Sequence, residues 1–196
     1  MTTKFSKSAI EKELEGYWYR SPKKEDWFVE TVVISRGQVS MEGNKKKLFI
    51  AIDSETWHEG SRNRDMYAGW IDTHTTVKSF EGLIDGVIAQ RPIAELDENI
   101  PQYIVENTYN VIKILAEHSF EKFTGKTIAI TGTAGKSTSK NIMKFLMEKH
   151  HAVIATRGNH NTRTGVPLTV VNAITDPDYL ISNLLFQDYG RSHTVL

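Results

Sequence analysis

The residues most able to do chemistry in this sequence are two glycines, a lysine and a serine set between a strand and a helix. They lie in Ile128-Ala129-Ile130-Thr131-Gly132-Thr133-Ala134-Gly135-Lys136-Ser137-Thr138. Gly132 and Gly135 can adopt positive φ and let an anion approach the backbone closely. The N–H groups from Gly132 through Thr133, Ala134 and Gly135 to Thr138 then converge where the dipole of the following helix also favours negative charge. Lys136 adds a mobile cation suited to β- and γ-phosphates, and Ser137, in the first helical turn, can place its hydroxyl on Mg²⁺. Such an arrangement binds a nucleoside triphosphate. Its spacing departs from the usual G-x-x-x-x-G-K-[ST] pattern, because Ile130 stands where the first glycine belongs.

The elements around the loop follow a regular order. Lys126 to Thr131 reads as a strand and Lys136 to His150 as a helix, with Ile142, Phe145, Leu146 and Lys149 along one side. A second strand follows at Ala152 to Thr156, a short helix at Gly165 to Ala173 and a third strand at Tyr179 to Ser182. That is the grammar of a doubly wound sheet. Upstream, strands are predicted over Trp27 to Ile34, Leu48 to Ile52, Val87 to Ala89 and Gln102 to Val105, with turn chemistry at Gly37 and Gly43-Asn44. Asn107 or Thr108 caps a helix carrying Val111, Ile112, Leu115 and His118 on one side. Residues 53–80, with Trp57, Tyr67, Trp70 and Phe80 scattered among polar residues, show no assignable period. The expected fold class is α/β: a small α+β N-terminal domain over 1–124, then a truncated P-loop, doubly wound parallel-sheet ATPase domain over 125–196. A sheet cut after its third strand leaves an edge, so Leu180, Ile181, Leu184, Leu185 and Phe186 are expected on exposed surface.

Composition narrows the classes. Hydrophobic residues at 39% and charged residues at 24% exclude disorder as the general state. With no cysteine, disulfides and thiolate zinc sites are impossible. Apolar runs fall far short of the roughly 20 residues that span a membrane, and the N-terminus lacks the roughly 7–15-residue apolar stretch of a secretory signal. A cytoplasmic protein with no membrane partner is expected. Net charge is zero overall, yet residues 125–196 hold 8 Lys/Arg against 4 Asp/Glu, a surplus of +4 around the loop. Nucleic-acid binders are normally basic throughout; Lys45 to Lys47 is too short a run for that and reads as the solvated edge of a turn, so no nucleic-acid partner is expected. The seven histidines, His150-His151 and His160 among them, show no metal spacing, and nothing pairs with Trp57-His58-Glu59 at a defined distance. Catalytic residues stay unassigned.

The loop I-T-G-T-A-G-K-S-T resembles that of the Mur ligase family. A second block, Gly158-Asn159-His160-Asn161-Thr162-Arg163-Thr164-Gly165-Val166-Pro167-Leu168-Thr169, is similar to the G-N-x-N-(N/T)-x-x-G-x-P-L-T block of the branch that adds D-alanyl-D-alanine. Ile100 to Val105, a helix and Thr124-Gly125-Lys126 match that branch's approach to its ATPase domain, while Ser35-Arg36 and Leu48 to Ala51 resemble its N-terminal substrate-binding domain. The resemblance implies ATP and Mg²⁺ as cofactors, with Lys136 on the phosphates and Ser137 on magnesium. It places Asn159, Asn161 and Thr162 near the nucleotide and the acceptor, and Ser35 and Arg36 toward a nucleotide-sugar substrate. The implied reaction phosphorylates a carboxylate and joins an amine to it, as in peptidoglycan precursor synthesis; the partner is a carboxylate-bearing peptide or nucleotide-sugar peptide. Family members continue through the rest of the ATPase domain and a C-terminal domain, so a separately encoded C-terminal part is one expected partner. Asn183 stands where the family usually presents a magnesium-binding glutamate. Two alternatives remain open: a non-catalytic nucleotide-binding fragment, and a Mur-like ligase of a specialised peptide pathway.

Overall fold

A computed structural model describes residues 5–61, 70–157, 164–173 and 177–183. The chain divides into two compact units, one ending at Leu115 and the other beginning at Ala116. The division falls inside helix α5 (Thr108–Glu121).

In the N-terminal unit, β1 (Phe5–Ser6) leads into α1 (Lys7–Glu13), β2 (Tyr17–Arg20), β3 (Phe28–Val29) and β4 (Thr31–Val33). Helix α2 (Arg36–Met41), β5 (Lys47–Ile50), α3 (Ser54–Ser61) and α4 (Thr73–Thr76) follow, then β6 (Gly86–Ala89) and β7 (Gln102–Ile104). The main sheet runs β2-β7-β6-β5-β4. Strands β4 to β7 are parallel and β2 is antiparallel to β7, while β1 and β3 form a separate antiparallel pair. Parallel strands covered on both faces carry continuous apolar runs, which is why Leu48, Phe49 and Ile50 are all buried. Phe49, Val87 and Ile104 join Val33, Phe80 and Ile93 in one core cluster.

Four readings of this region are corrected. Trp27 to Ile34 is two strands, since β3 pairs with β1 while β4 turns to β5. Gly37 lies within α2, whose N-terminus is capped by Ser35, and only Gly43 (φ 56) makes a turn. Lys47 is buried, its ammonium donating to the Gly43 and Lys45 carbonyls at 2.5 and 2.9 Å, so it ties off the turn from inside. Residues 53–80 contain α3 and α4, and Trp57 stacks on Trp70 with centroids 3.7 Å apart.

In the C-terminal unit, β8 (Lys126–Ile130) precedes α6 (Lys136–Met147), β9 (Val153–Ala155), α7 (Gly165–Val171) and β10 (Tyr179–Asn183). The three strands are parallel in the order β8-β10-β9, with Ile181 opposite Ile128 on one side and Ala155 on the other. The third strand in sequence is therefore the central one. Leu180 and Ile181 are buried, at 4% and 0% exposure, contrary to the expected exposed edge; Leu184, Leu185 and Phe186 lie outside the described residues. The stripe of α6 is also corrected. Ile142, Phe145 and Leu146 point to solvent, while the inward side carries the half-buried Lys136, Met143, Lys144 and Met147 and the fully buried Lys140. The outward stripe is the more apolar one, so hydrophobicity alone selects the wrong face. No helix among the described residues is long and apolar enough to cross a membrane.

Candidate functional site

Strand β8 delivers the chain to the C-terminal edge of its sheet, and α6 begins after five intervening residues. Gly132 has φ 148 and Gly135, the residue before the helix, φ 77. Both values disfavour any residue with a Cβ. The left-handed step at Gly135 turns the chain directly into α6, where the Ser139 N–H donates to the Gly135 carbonyl at 2.9 Å. Gly135 brings no capping side chain, so the leading N–H groups of the twelve-residue helix face outward. Residues 131–135 and Thr138 are exposed, and Lys136 and Ser137 half-buried. Lys136 arches back over the loop, donating from Nζ to the Gly132 carbonyl at 2.7 Å.

The parallel register brings three strand ends together. Asn183 is opposite Ile130, the last residue before the loop, and Ala155 is opposite Ile181. Ligands of open α/β sheets bind at this carboxyl edge. One residue that sequence reasoning missed belongs here. Lys140 is 1% exposed and donates to the Thr156 carbonyl, with Thr156 Oγ1 3.5 Å away. Burial pushes its ammonium below the ordinary lysine pKa. The available signal was its place four residues after Lys136, one turn along the same side of the helix.

Residues 130–191 match the Mur ligase middle domain. A UDP-N-acetylmuramoyl-tripeptide–D-alanyl-D-alanine ligase of Synechocystis sp. is 30% identical over 105 residues, covering 54% of this chain. The likeness to Mur ligases thus extends beyond the loop, over residues 130–191. The chain spans 23% of that relative's length. Among solved structures, the UDP-N-acetylmuramoylalanyl-D-glutamyl-2,6-diaminopimelate–D-alanyl-D-alanyl ligase of Acinetobacter baumannii superposes with a TM-score of 0.69 at 22% identity, over 92% of this chain and 36% of that one. A Mur ligase of Thermotoga maritima, solved in complex with ADP, gives 0.54 at 24% identity, over 78% of this chain and 31% of that one. These two likenesses support the α/β fold with its parallel sheets.

The remaining candidate residues are distributed between the two units. Asn159, His160, Asn161 and Thr162 lie outside the described residues. Ser35 and Arg36 belong to the N-terminal unit, where the Ser35 hydroxyl accepts from the Gln38 N–H at 3.4 Å and Arg36 is exposed. No cluster of three or more potential metal-binding His, Asp or Glu side chains occurs among the described residues. A polar network closes the ends of β5 and β6 instead. His74 is buried, with Nδ1 2.7 Å from Asp72 Oδ1 and Nε2 accepting from the Gln90 N–H at 3.1 Å. Arg91 pairs with the other Asp72 oxygen.

With Nε2 accepting, the His74 proton sits on Nδ1 and the ring is neutral. Burial lowers the His74 pKa, against the upward pull of Asp72. Burial raises the Asp72 pKa, but the bonds from Arg91 and His74 outweigh it and leave the carboxyl below its usual value. The unfolded chain takes up a proton at His74 near the ordinary value of 6.5, and the folded chain resists it. Between the folded and unfolded pKa the unfolded state binds more protons, so this stability is complete above 6.5 and is lost as pH falls through the lowered value. Wild-type Tm should therefore drop from about pH 7.5 to about pH 5.5, at about 2–4 °C per kcal/mol. His74→Gln should melt lower at the higher pH and show a shallower slope. An equally steep slope in thermal melts of the variant would remove His74 as the cause.

Proposed function

We propose that this chain binds Mg²⁺-ATP on Gly132 to Thr138 and serves as the nucleotide-binding part of a Mur-type ATP-dependent amide ligase. The observation that carries this reading is the left-handed Gly135, which aims the N-terminus of α6 at the edge where Lys136 already reaches across the loop. The loop N–H groups and Lys136 neutralise the phosphates, and the Ser137 hydroxyl is the ligand offered to Mg²⁺, whose role is to screen charge on the transferred group. In the reaction, a substrate carboxylate oxygen forms a bond to the γ-phosphorus as ADP leaves. An amine then attacks the acyl carbon, phosphate departs, the nitrogen loses a proton, and an amide remains. The protein's share is positioning and charge compensation. Asn159, Asn161 and Thr162 are proposed beside the nucleotide and acceptor, and Ser35 and Arg36 toward a nucleotide-sugar peptide. Turnover is proposed for a ligase that includes the counterpart of what this chain does not span in its relatives, working in the cytoplasm.

Calorimetric titration of the 196-residue chain with Mg²⁺-ATP tests the reading. Saturable binding at one site that weakens when Mg²⁺ is withheld is the expected result; no heat from folded protein overturns it. A second reading, a nucleotide-binding protein without turnover, is favoured by Asn183 at the strand end beside Ile130, where a carboxylate would hold Mg²⁺ more firmly. Single-turnover release of ADP in the presence of acceptor peptides separates the two.

A further inference from the structure

The buried ammonium of Lys140 has no role in the binding scheme above, yet it occupies the joint between helix and sheet. Its partner is the carbonyl of Thr156, the first residue after β9, itself 2% exposed and held by its own N–H to the Ile181 carbonyl at 3.1 Å. The Lys140 side chain thus fastens helix α6 to the end of β9, and through β10 to the rest of the sheet. Lys140 lies one turn from Lys136, about 6 Å along a rigid helix. Any shift of α6 at this joint is carried to Lys136, Ser137 and the loop. Two residues beyond Thr156 the second family block begins at Gly158. An apolar side chain of equal length would fill the space, spare the cost of burying an ammonium and withdraw this donor from the Thr156 carbonyl.

We propose that Lys140 is a positioning residue of the nucleotide site, fastening α6 to the end of β9 so that the loop N–H groups and Lys136 stand where the phosphates bind. The inference rests on the nucleotide-binding reading and adds a residue that touches neither phosphate nor metal.

The test compares Lys140→Met, Lys140→Gln and the control Lys144→Met, a half-buried lysine that pairs with Glu148 on its own helix, in the whole chain, by Mg²⁺-ATP calorimetry and by amide NMR of the ligand-free protein. Lys140→Met should bind about tenfold more weakly, the loss expected when a hydrogen bond from a charged group is removed. The amide signals of Gly132, Thr133, Gly135 and Ser137 should also move without nucleotide. Lys140→Gln, which restores an N–H donor without the charge, should recover part of both effects, and Lys144→Met should change neither. Folded Lys140→Met with wild-type amides and affinity overturns the proposal. So does an equal loss of affinity in Val171→Ala, a buried change in α7 made at matched stability. Should the Lys140 variants fail to fold, the wild type still decides: its Lys140 ammonium should give a slowly exchanging NMR signal coupled to the Thr156 carbonyl, and a signal like those of surface lysines overturns the assignment. Absent wild-type binding removes the nucleotide reading, whereas the ligand-free amide comparison judges the fastening by itself.

Discussion

Lys136→Met should weaken Mg²⁺-ATP binding by roughly 30- to 150-fold, the equivalent of about 2–3 kcal/mol for charge-assisted bonds to phosphate. Methionine keeps most of the half-buried stem and removes the ammonium alone. In the ligand-free chain that ammonium bonds the carbonyl of exposed Gly132, a contact worth little to folding because water can replace it. The thermal midpoint should therefore stay within about a degree or two of wild type. Lys149→Met is the matching control, since it removes the same charge from a lysine that lies over the Phe145 ring beyond the end of α6. If both variants lose affinity equally, the surplus charge of residues 125–196 is acting as a general field. If Lys136→Met binds as wild type does, the loop is not the phosphate site. Added salt should narrow the gap between wild type and Lys149→Met more than the gap to Lys136→Met, because direct contacts are screened less than distant charges.

What could be read beforehand was what local chemistry decides. Only glycine suits the backbone found at residues 132 and 135, so the loop was legible from residue type alone. Asn107 accepts from the Asn110 N–H at 3.1 Å, the expected cap for α5. What could not be read depends on partners distant in sequence. The order β8-β10-β9 is fixed by pairings between residues some 25 to 50 positions apart, which no local pattern encodes. Helix α6 carries its more apolar stripe outward, and its inward side relies on a lysine whose acceptor is sixteen residues away. Similarly, His74 is held by Gln90, sixteen residues on, and Trp57 finds its stacking partner at Trp70. Those contacts organise the described residues of 53–61 and 70–80 without leaving a helical or strand period in the sequence.

The central place of β10 leads to the second large effect. Ile181→Ala should destabilise the C-terminal unit by about 2–5 kcal/mol, the usual cost of emptying a closed core site. Ile181 is fully buried and lies between Ile128 of β8 and Ala155 of β9. A cavity there undermines both neighbours at once. Ile128, on the outer strand, is only half-buried, so Ile128→Ala removes the same atoms at lower cost. The ranking is the test, read from denaturant midpoints and from amide exchange in β8. Ile181→Ala should be the more damaging by at least about 1 kcal/mol. Equal costs would place Ile181 on an outer strand and invalidate the strand order. The loop hangs from β8, and β8 is paired to β10 along its whole length, so conditions that begin to open Ile181→Ala should release nucleotide before the N-terminal unit melts. Binding that outlasts loss of protection in β8 would show that the loop is held by α6 and its Lys140 joint instead of by the strand that leads into it.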